Sequence, residues 1–244
     1  MSRTICILLT GALLTGCASA PPDVGVAHDP WESLNRKTYR FNEVVDKATL
    51  KPIAKGYNKV LPEPVRNSVT NFFRNLGTPR SALNNFLQGK PVYGFQELSR
   101  LFVNTTFGIG GLFDVATYGG LEAHTEDFGQ TAAVWGVPAG PFVVIPMLGP
   151  ASLRDAVLYP LNIQTTPLYH YDNSSVRDRL YVLRAIEIRA RLLPLEDMMK
   201  DSSDSYVTIR ESFMQNRAFQ IYDGNPPQSE DEELFDEFLE EEDY

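Results

Sequence analysis

Apolar side chains recur at alternating steps of three and four along much of the chain, the spacing of one face of an α-helix. Trp31, Leu34, Thr38, Phe41, Val45 and Ala48 make the first such stripe. Asp29-Pro30-Trp31-Glu32 ahead of it has the makings of a helix start: a cap residue, a proline at the first helical position and a Glu three after the cap. The spacing predicts that this helix stops at Lys51-Pro52. Val65, Val69, Phe72 and Leu76 predict a second helix, and Ala82, Leu83, Phe86 and Leu87 a short third one ended by Gly89. Phe95, Leu98, Phe102 and Thr105 predict a fourth. Ser175 with Asp178 then caps a helix running through Leu180, Leu183, Ile186 and Ala190 to Leu193, broken by Pro194, and a last helix spans about Ser205 to Ile221. Period-two alternation is rare, with Phe142 to Ile145 the one tempting strand. The expected fold is mostly α.

Two uncharged segments do not suit a water-facing bundle. Leu101 to Phe113 (LFVNTTFGIGGLF) carries no charge, and Phe128 to Leu153 has no ionisable side chain either. The second is long enough to cross a bilayer, but Gly136, Pro138, Gly140, Pro141, Pro146, Gly149 and Pro150 break it too often for a continuous helix. Irregular backbone cannot face hydrocarbon with its polar groups unpaired. A folded hairpin or loop packed on protein is expected, and composition leaves two readings open: an apolar side offered to a membrane or membrane protein, or a core loop. The helix from Ser175 to Leu193 carries Arg177, Arg179, Arg184, Arg189 and Arg191, suited either to anionic headgroups or to a solvated face.

The first sixteen residues read as a secretory leader, with Arg3 before an apolar run from Thr4 to Leu14 that is too short to span a bilayer. Leu14-Thr15-Gly16-Cys17 closes it as a lipobox does, which makes Cys17 the acylated first residue of the mature chain. The other cysteine, Cys6, lies in the leader, so no disulfide, thiol nucleophile or cysteine metal site is expected. Ala18 follows Cys17 where Asp would favour the inner membrane, so the expected address is the outer membrane, anchored on its periplasmic side. Residues 17–28 read as a lipidated tether, 29–223 as one domain and 224–244 as an acidic tail.

The net charge of −9 misleads, because residues 230–244 hold ten acids and no Lys or Arg, leaving 21 acids and 21 bases between leader and tail. A nucleic-acid surface needs a clear basic excess, so nucleic acid is not an expected partner. Catalytic patterns are missing as well. The three histidines, His28, His124 and His170, have no metal-ligand spacing, and no GxSxG, GxxxxGK or HExxH occurs. Gly108-Ile109-Gly110-Gly111 lacks the third glycine of a dinucleotide loop and is expected to make a sharp turn or a close helix approach. Glu126 and Asp127 read as helix-start acids. No enzyme activity and no cofactor are expected.

Asp29-Pro30, Asn35-Arg36, Tyr39-Arg40-Phe41-Asn42 and Pro64-Val65-Arg66-Asn67 resemble the MlaA (VacJ) family of outer-membrane lipoproteins. So do Asn85-Phe86-Leu87-Gln88-Gly89, Asn104-Thr105, Gly108 through Asp114, and Asp127-Phe128-Gly129-Gln130. Gly136-Val137, Gly140-Pro141, Leu153-Arg154-Asp155, Glu187 through Arg191 and Ser202 through Tyr206 continue the series in order, from Asp29 to Tyr222. The resemblance implies a ring of amphipathic helices lying in one membrane leaflet around an amphipathic channel, bound to a trimeric porin. It implies removal of mislocalised phospholipids from the outer leaflet and their transfer to a periplasmic carrier, which maintains lipid asymmetry. The alternative is a structural, porin-binding lipoprotein that moves no lipid.

On that footing Phe41 and Asn42, with Phe102, Phe107, Ile109, Leu112 and Phe113, are expected at the channel or in contact with lipid, together with Arg184 and Arg189. Trp135, Val137, Phe142, Val143, Val144 and Ile145 are expected to face the membrane or the porin. In the tail, Leu234, Phe235, Phe238 and Leu239 share one side of a short helix that could dock on the carrier, or belong to a disordered solvating tail.

Overall fold

A computed structural model describes residues 28–198 and 202–227. The leader, Cys17 and its tether through Ala27, and the acidic tail from Gln228 on, with Leu234 and Phe238, lie outside the described residues. Among the described residues nine α-helices, one 3-10 turn and one two-stranded hairpin follow in order. They are α1 (Glu32–Ala48), α2 (Leu50–Val60), α3 (Glu63–Leu87), α4 (Pro91–Thr106), α5 (Val115–Tyr118) and α6 (Phe128–Val134). The strands β1 (Phe142–Ile145) and β2 (Gly149–Ser152) lead to α7 (Leu153–Gln164), the 3-10 turn Pro167–His170, α8 (Ser174–Met198) and α9 (Ser205–Ile221). The mostly α reading holds.

Prolines account for most differences from the expected elements. The chain kinks at Thr49 and starts α2 at once, with Pro52 in the first turn, where a missing N–H leaves no bond unmade. The second and third expected helices are one: α3 runs straight through Pro79, and α8 likewise runs through Pro194. A proline inside a helix removes one backbone bond. Here the long contact of α3 with α4, and of α8 with α2, holds each helix on both sides of the gap. The start of α8 is capped by Asn173, whose Oδ1 accepts from Val176 N at 3.1 Å, and not by Ser175. Asp29 does not cap α1 either, and instead accepts from Asn35 Nδ2 at 2.8 Å and from the Tyr206 hydroxyl.

The hairpin expected between Phe128 and Leu153 is present, preceded by the short helix α6. β1 and β2 pair antiparallel, Phe142 with Ser152 through Ile145 with Gly149. Phe142 is only 1% exposed and Val144 is also buried, both in an aromatic core with Tyr206, Tyr39 and Phe213. These two side chains therefore do not face a membrane or partner, a correction that follows from the pleat: alternate residues of β1 turn inward onto α1 and α9, while Val143 and Ile145 stay half-buried on the other side.

Polarity is inverted over the rest of the molecule. Among the described residues sixteen buried side chains are polar or charged and eleven are apolar or tyrosine, several of them alanines. The large apolar side chains, from Leu34 and Phe41 on α1 to Phe95 and Phe102 on α4 and Val157 on α7, are largely exposed. A water-soluble domain arranges these the other way round. No helix among the described residues is long and apolar enough to cross a membrane.

Candidate functional site

The polar interior is concentrated where α3 and α4 lie side by side. Asn71, Arg74, Asn75 and Thr78 of α3 face Glu97, Arg100 and Asn104 of α4 across a small cleft that Asp114 and Thr125 also line. Arg100 Nη2 donates to both carboxylate oxygens of Asp114 at 3.0 Å, and Asn104 Nδ2 donates to Asp114 Oδ1 at 3.0 Å. Asp114 also caps α5 through Thr117 N. Burial pushes its pKa up, but bonds from Thr117, Asn104 and Arg100 outweigh that and hold the carboxyl below its ordinary value. Glu97 goes the other way: desolvation raises its pKa against the opposing N–H of His124 and the charge of Arg100. The cleft thus holds both signs of charge in a half-dry setting.

The glycine turn after α4 seals one end of this wall. Gly108 has no room for a Cβ, which would overlap the carbonyls of Asn104 and Phe113, and Gly111, at φ +90°, would strike Asn75. Ile109 itself adopts φ 52°. The resulting tight turn pushes its large side chains outward. Phe107 is 69% exposed, and Phe102, Ile109, Leu112 and Phe113 are exposed with it. The structure thus brings together five of the residues expected to touch lipid, as an apolar knob behind a polar wall.

Trp135 and Val137 are exposed as well, with the Trp135 indole donating to Leu87 O at 3.0 Å. At the hairpin tip Met147 and Leu148 are exposed, two residues that sequence reasoning passed over. Phe41 is half-exposed on α1. Its neighbour Asn42 is engaged elsewhere, donating to Ile145 O at 3.0 Å and accepting from Met147 N at 2.8 Å.

The arginines of α8 divide sharply. Arg189, expected at the channel or in contact with lipid, is instead a clamp between helices: Nε and Nη2 reach Asp46 of α1 at 2.7 and 2.8 Å, and Nη2 reaches Glu196 at 2.6 Å. Lys51 joins the same Glu196. Desolvation opposes ionisation of Glu196, but its bonds to Arg189 and Lys51 bring its pKa down to about 2. Arg191 pairs with Glu187 and Arg177 with Asp178. Arg184 has no such partner among the described residues and lies 5.2 Å from the centre of the Phe73 ring.

A second network was not legible as such. Arg217 of α9 is buried and makes paired bonds to Asp127 at 2.8 and 2.8 Å and to Asp155 at 2.9 and 2.9 Å. Gly129 lies against this junction, and a Cβ there would overlap the Asp155 carboxylate and the Arg217 guanidinium. The Asp127-Phe128-Gly129-Gln130 and Leu153-Arg154-Asp155 motifs meet here, which joins α6, α7 and α9. Asp127, read as a helix-start acid, does cap α6 through Gln130 N at 2.9 Å. Burial disfavours its charge, yet Arg217 carries its pKa down to about 2. Among the described residues no group of side chains has the makings of a metal site.

The family model of the MlaA lipoprotein matches residues 27–220. The chain is 36% identical over 228 residues to the Escherichia coli intermembrane phospholipid transport system lipoprotein MlaA, covering 89% of this chain and 88% of that one. The Haemophilus influenzae protein of the same name is 32% identical over 243 residues, 96% of each chain. A solved structure from work on the structural basis for maintenance of bacterial outer membrane lipid asymmetry superposes with a TM-score of 0.70 at 35% identity, covering 79% of this chain and 98% of its own. With its inverted polarity and its helical fold, the chain belongs to the MlaA lipoprotein family.

Proposed function

We propose that this protein takes mislocalised phospholipids out of the outer leaflet of the outer membrane and passes them, through a polar-lined passage in a ring of helices, to a periplasmic carrier. The observation that carries this reading is the pairing of a charged, half-dry cleft between α3 and α4 with large exposed side chains such as Phe102 and Phe107 on the outside. Exposed apolar surface is stable against acyl chains, and helices too short or too polar to span fit a body lying in one leaflet. A headgroup crossing hydrocarbon sheds its water at a cost of several kcal/mol or more. A passage lined by Arg100, Asn104 and Asp114 lowers that barrier with no bond made or broken. Such a passage does not set direction, since it favours neither side unless a partner binds the lipid differentially. Net removal therefore comes from the carrier.

In this account acyl chains on Cys17 deliver the protein to the membrane, and several chains together anchor it far more firmly than one. Trp135, Val137 and the hairpin tip at Met147 supply surface for a trimeric porin. The test is transfer in vitro: the lipidated protein is reconstituted in vesicles with a fluorescent phospholipid, and a soluble phospholipid carrier is added outside. Faster appearance of lipid on the carrier than from protein-free vesicles is expected. Equal rates, with a porin still co-purifying, overturn transport in favour of a purely structural lipoprotein.

A further inference from the structure

Two buried hydrogen-bond donors, one on α3 and one on α8, lack an acceptor. Arg80 Nε and the Tyr181 hydroxyl are buried with no hydrogen-bond partner, and neither Arg80 nor Arg184 forms an ion pair among the described residues. Buried donors are normally satisfied, so a cluster of orphans calls for a physical reason.

Helix geometry sets the two guanidiniums along one face of α3. Phe73, Gly77 and Arg80 lie on one face of α3, four and three residues apart. Arg80 folds back along that face, its Nη2 3.8 Å from where a Cβ on Gly77 would stand. Arg184 comes down from α8 onto the Phe73 ring, 5.2 Å from its centre. Between Phe73 and Gly77 the helix rises about 6 Å. Tyr181 precedes Arg184 by three residues and so shares its side of α8.

The surrounding charges do not neutralise the pair. Asp127 is the acid nearest in effect to Arg80, but it is held by Arg217; Glu187 plays that part for Arg184, with Oε1 engaged by Thr70 and Arg191 and Oε2 buried without a hydrogen-bond partner. Each arginine is also subject to the other's charge or to a further cation, and desolvation lowers both below the ordinary arginine value. Two partly desolvated cations thus lie along one face of α3, neither in an ion pair among the described residues.

We propose that Arg80, lying beside the bare Gly77, and Arg184, lying over Phe73, bind the phosphate group of a phospholipid in transit, with the Tyr181 hydroxyl as a third donor. The inference rests on the transport reading and adds a phosphate-selective station to it, separate from the Arg100–Asp114 cleft, whose arginine is already paired. A phosphodiester supplies the acceptor oxygens these donors lack, whatever its headgroup, so the station selects for phosphate and not for a particular head.

The test uses the full lipidated protein in detergent and two photoactivatable probes with the same acyl chains, a phosphatidylglycerol and a diacylglycerol. The wild type is expected to take up the phosphatidyl probe at least about tenfold more than the neutral one. R80Q/R184Q should lose that preference, while R177Q keeps it. Gly77→Leu retains both arginines and favours the helix, so it controls against misfolding; by filling the gap it should also lose the preference. A double variant that labels like the wild type overturns the arginine site and leaves the transport reading standing. A wild type labelled by neither probe overturns both. Competition by inorganic phosphate as effective as that by unlabelled lipid assigns the site to the free anion and overturns the proposal.

Discussion

Asn35 of α1 treats Phe142 of β1 as a neighbouring strand would: its Nδ2 donates to Phe142 O at 2.9 Å, and its Oδ1 accepts from Val144 N at 2.9 Å. Asn42, two helical turns on, repeats the pattern with Ile145 O and Met147 N. Seven residues of helix rise about 10 Å, as do three residues of strand, so the two amides match the edge of β1 in step. The hairpin is thereby fastened to α1 by side chains in place of a third strand.

Replacing Asn35 with Ala leaves a buried N–H and C=O on β1 unpaired and is expected to destabilise the fold by about 2 kcal/mol. Asn42→Ala strips the more exposed tip and should cost less, while loosening Met147, a non-glycine residue at φ 65°. Thermal unfolding of both variants, with hydrogen exchange at Val144 and Met147, checks the order. Equal effects, or faster exchange at Val144 alone in Asn42→Ala, would show that the amides do not act as separate fasteners.

The Arg217 junction carries a pH dependence. Asp127 has a folded pKa of about 2 against an ordinary value of 3.8, so its contribution to stability is complete above pH 4 and is lost as the pH falls towards 2. Glu196 acts in the same sense over a slightly wider range, from 4.5 down to about 2. Asp127→Asn should flatten the acid limb of the stability curve and lower the plateau, because Arg217 then lacks one paired carboxylate. An unchanged slope between pH 4 and 2 contradicts the assignment.

The apolar knob makes a membrane prediction. Aspartate in place of Phe107 or Ile109 introduces a charge worth about 3 kcal/mol against insertion at depth. Brominated phospholipids should quench the exposed Trp135 in the wild type, and F107D/I109D should reduce that quenching with helix content unchanged. Undiminished quenching would place the knob in water.

Helical periodicity was readable along the chain because an apolar stripe facing acyl chains has the same period as one facing a core. Its direction was not, because spacing alone does not tell a stripe turned to a core from one turned outward; Phe41, Phe95 and Phe102 are exposed. An error fell on Phe142 and Val144, whose uncharged segment suggested a membrane face although alternate residues of a short strand seat in the core. Pro194 was read as a break and the stripes on either side of Pro79 as two helices, since a lost backbone bond is visible in sequence and the neighbouring helix that makes it tolerable is not. Long-range pairs such as Arg189 with Asp46 left no local signal at all, whereas the glycines at 108 and 111 announced a tight turn that the structure contains.

Lipidation at Cys17 is expected to decide location. Cys17→Ser should leave an unprocessed or released protein, detected by mobility and by fractionation, and outer-membrane recovery equal to the wild type would remove the anchor from the account.

The central claim is most directly tested by the phospholipid content of the outer leaflet in cells. A strain lacking this gene, probed with a membrane-impermeant amine reagent, should carry surface-exposed phosphatidylethanolamine that the wild-type gene removes and F107D/I109D does not. A deletion strain with the same low surface labelling as its parent would contradict the claim.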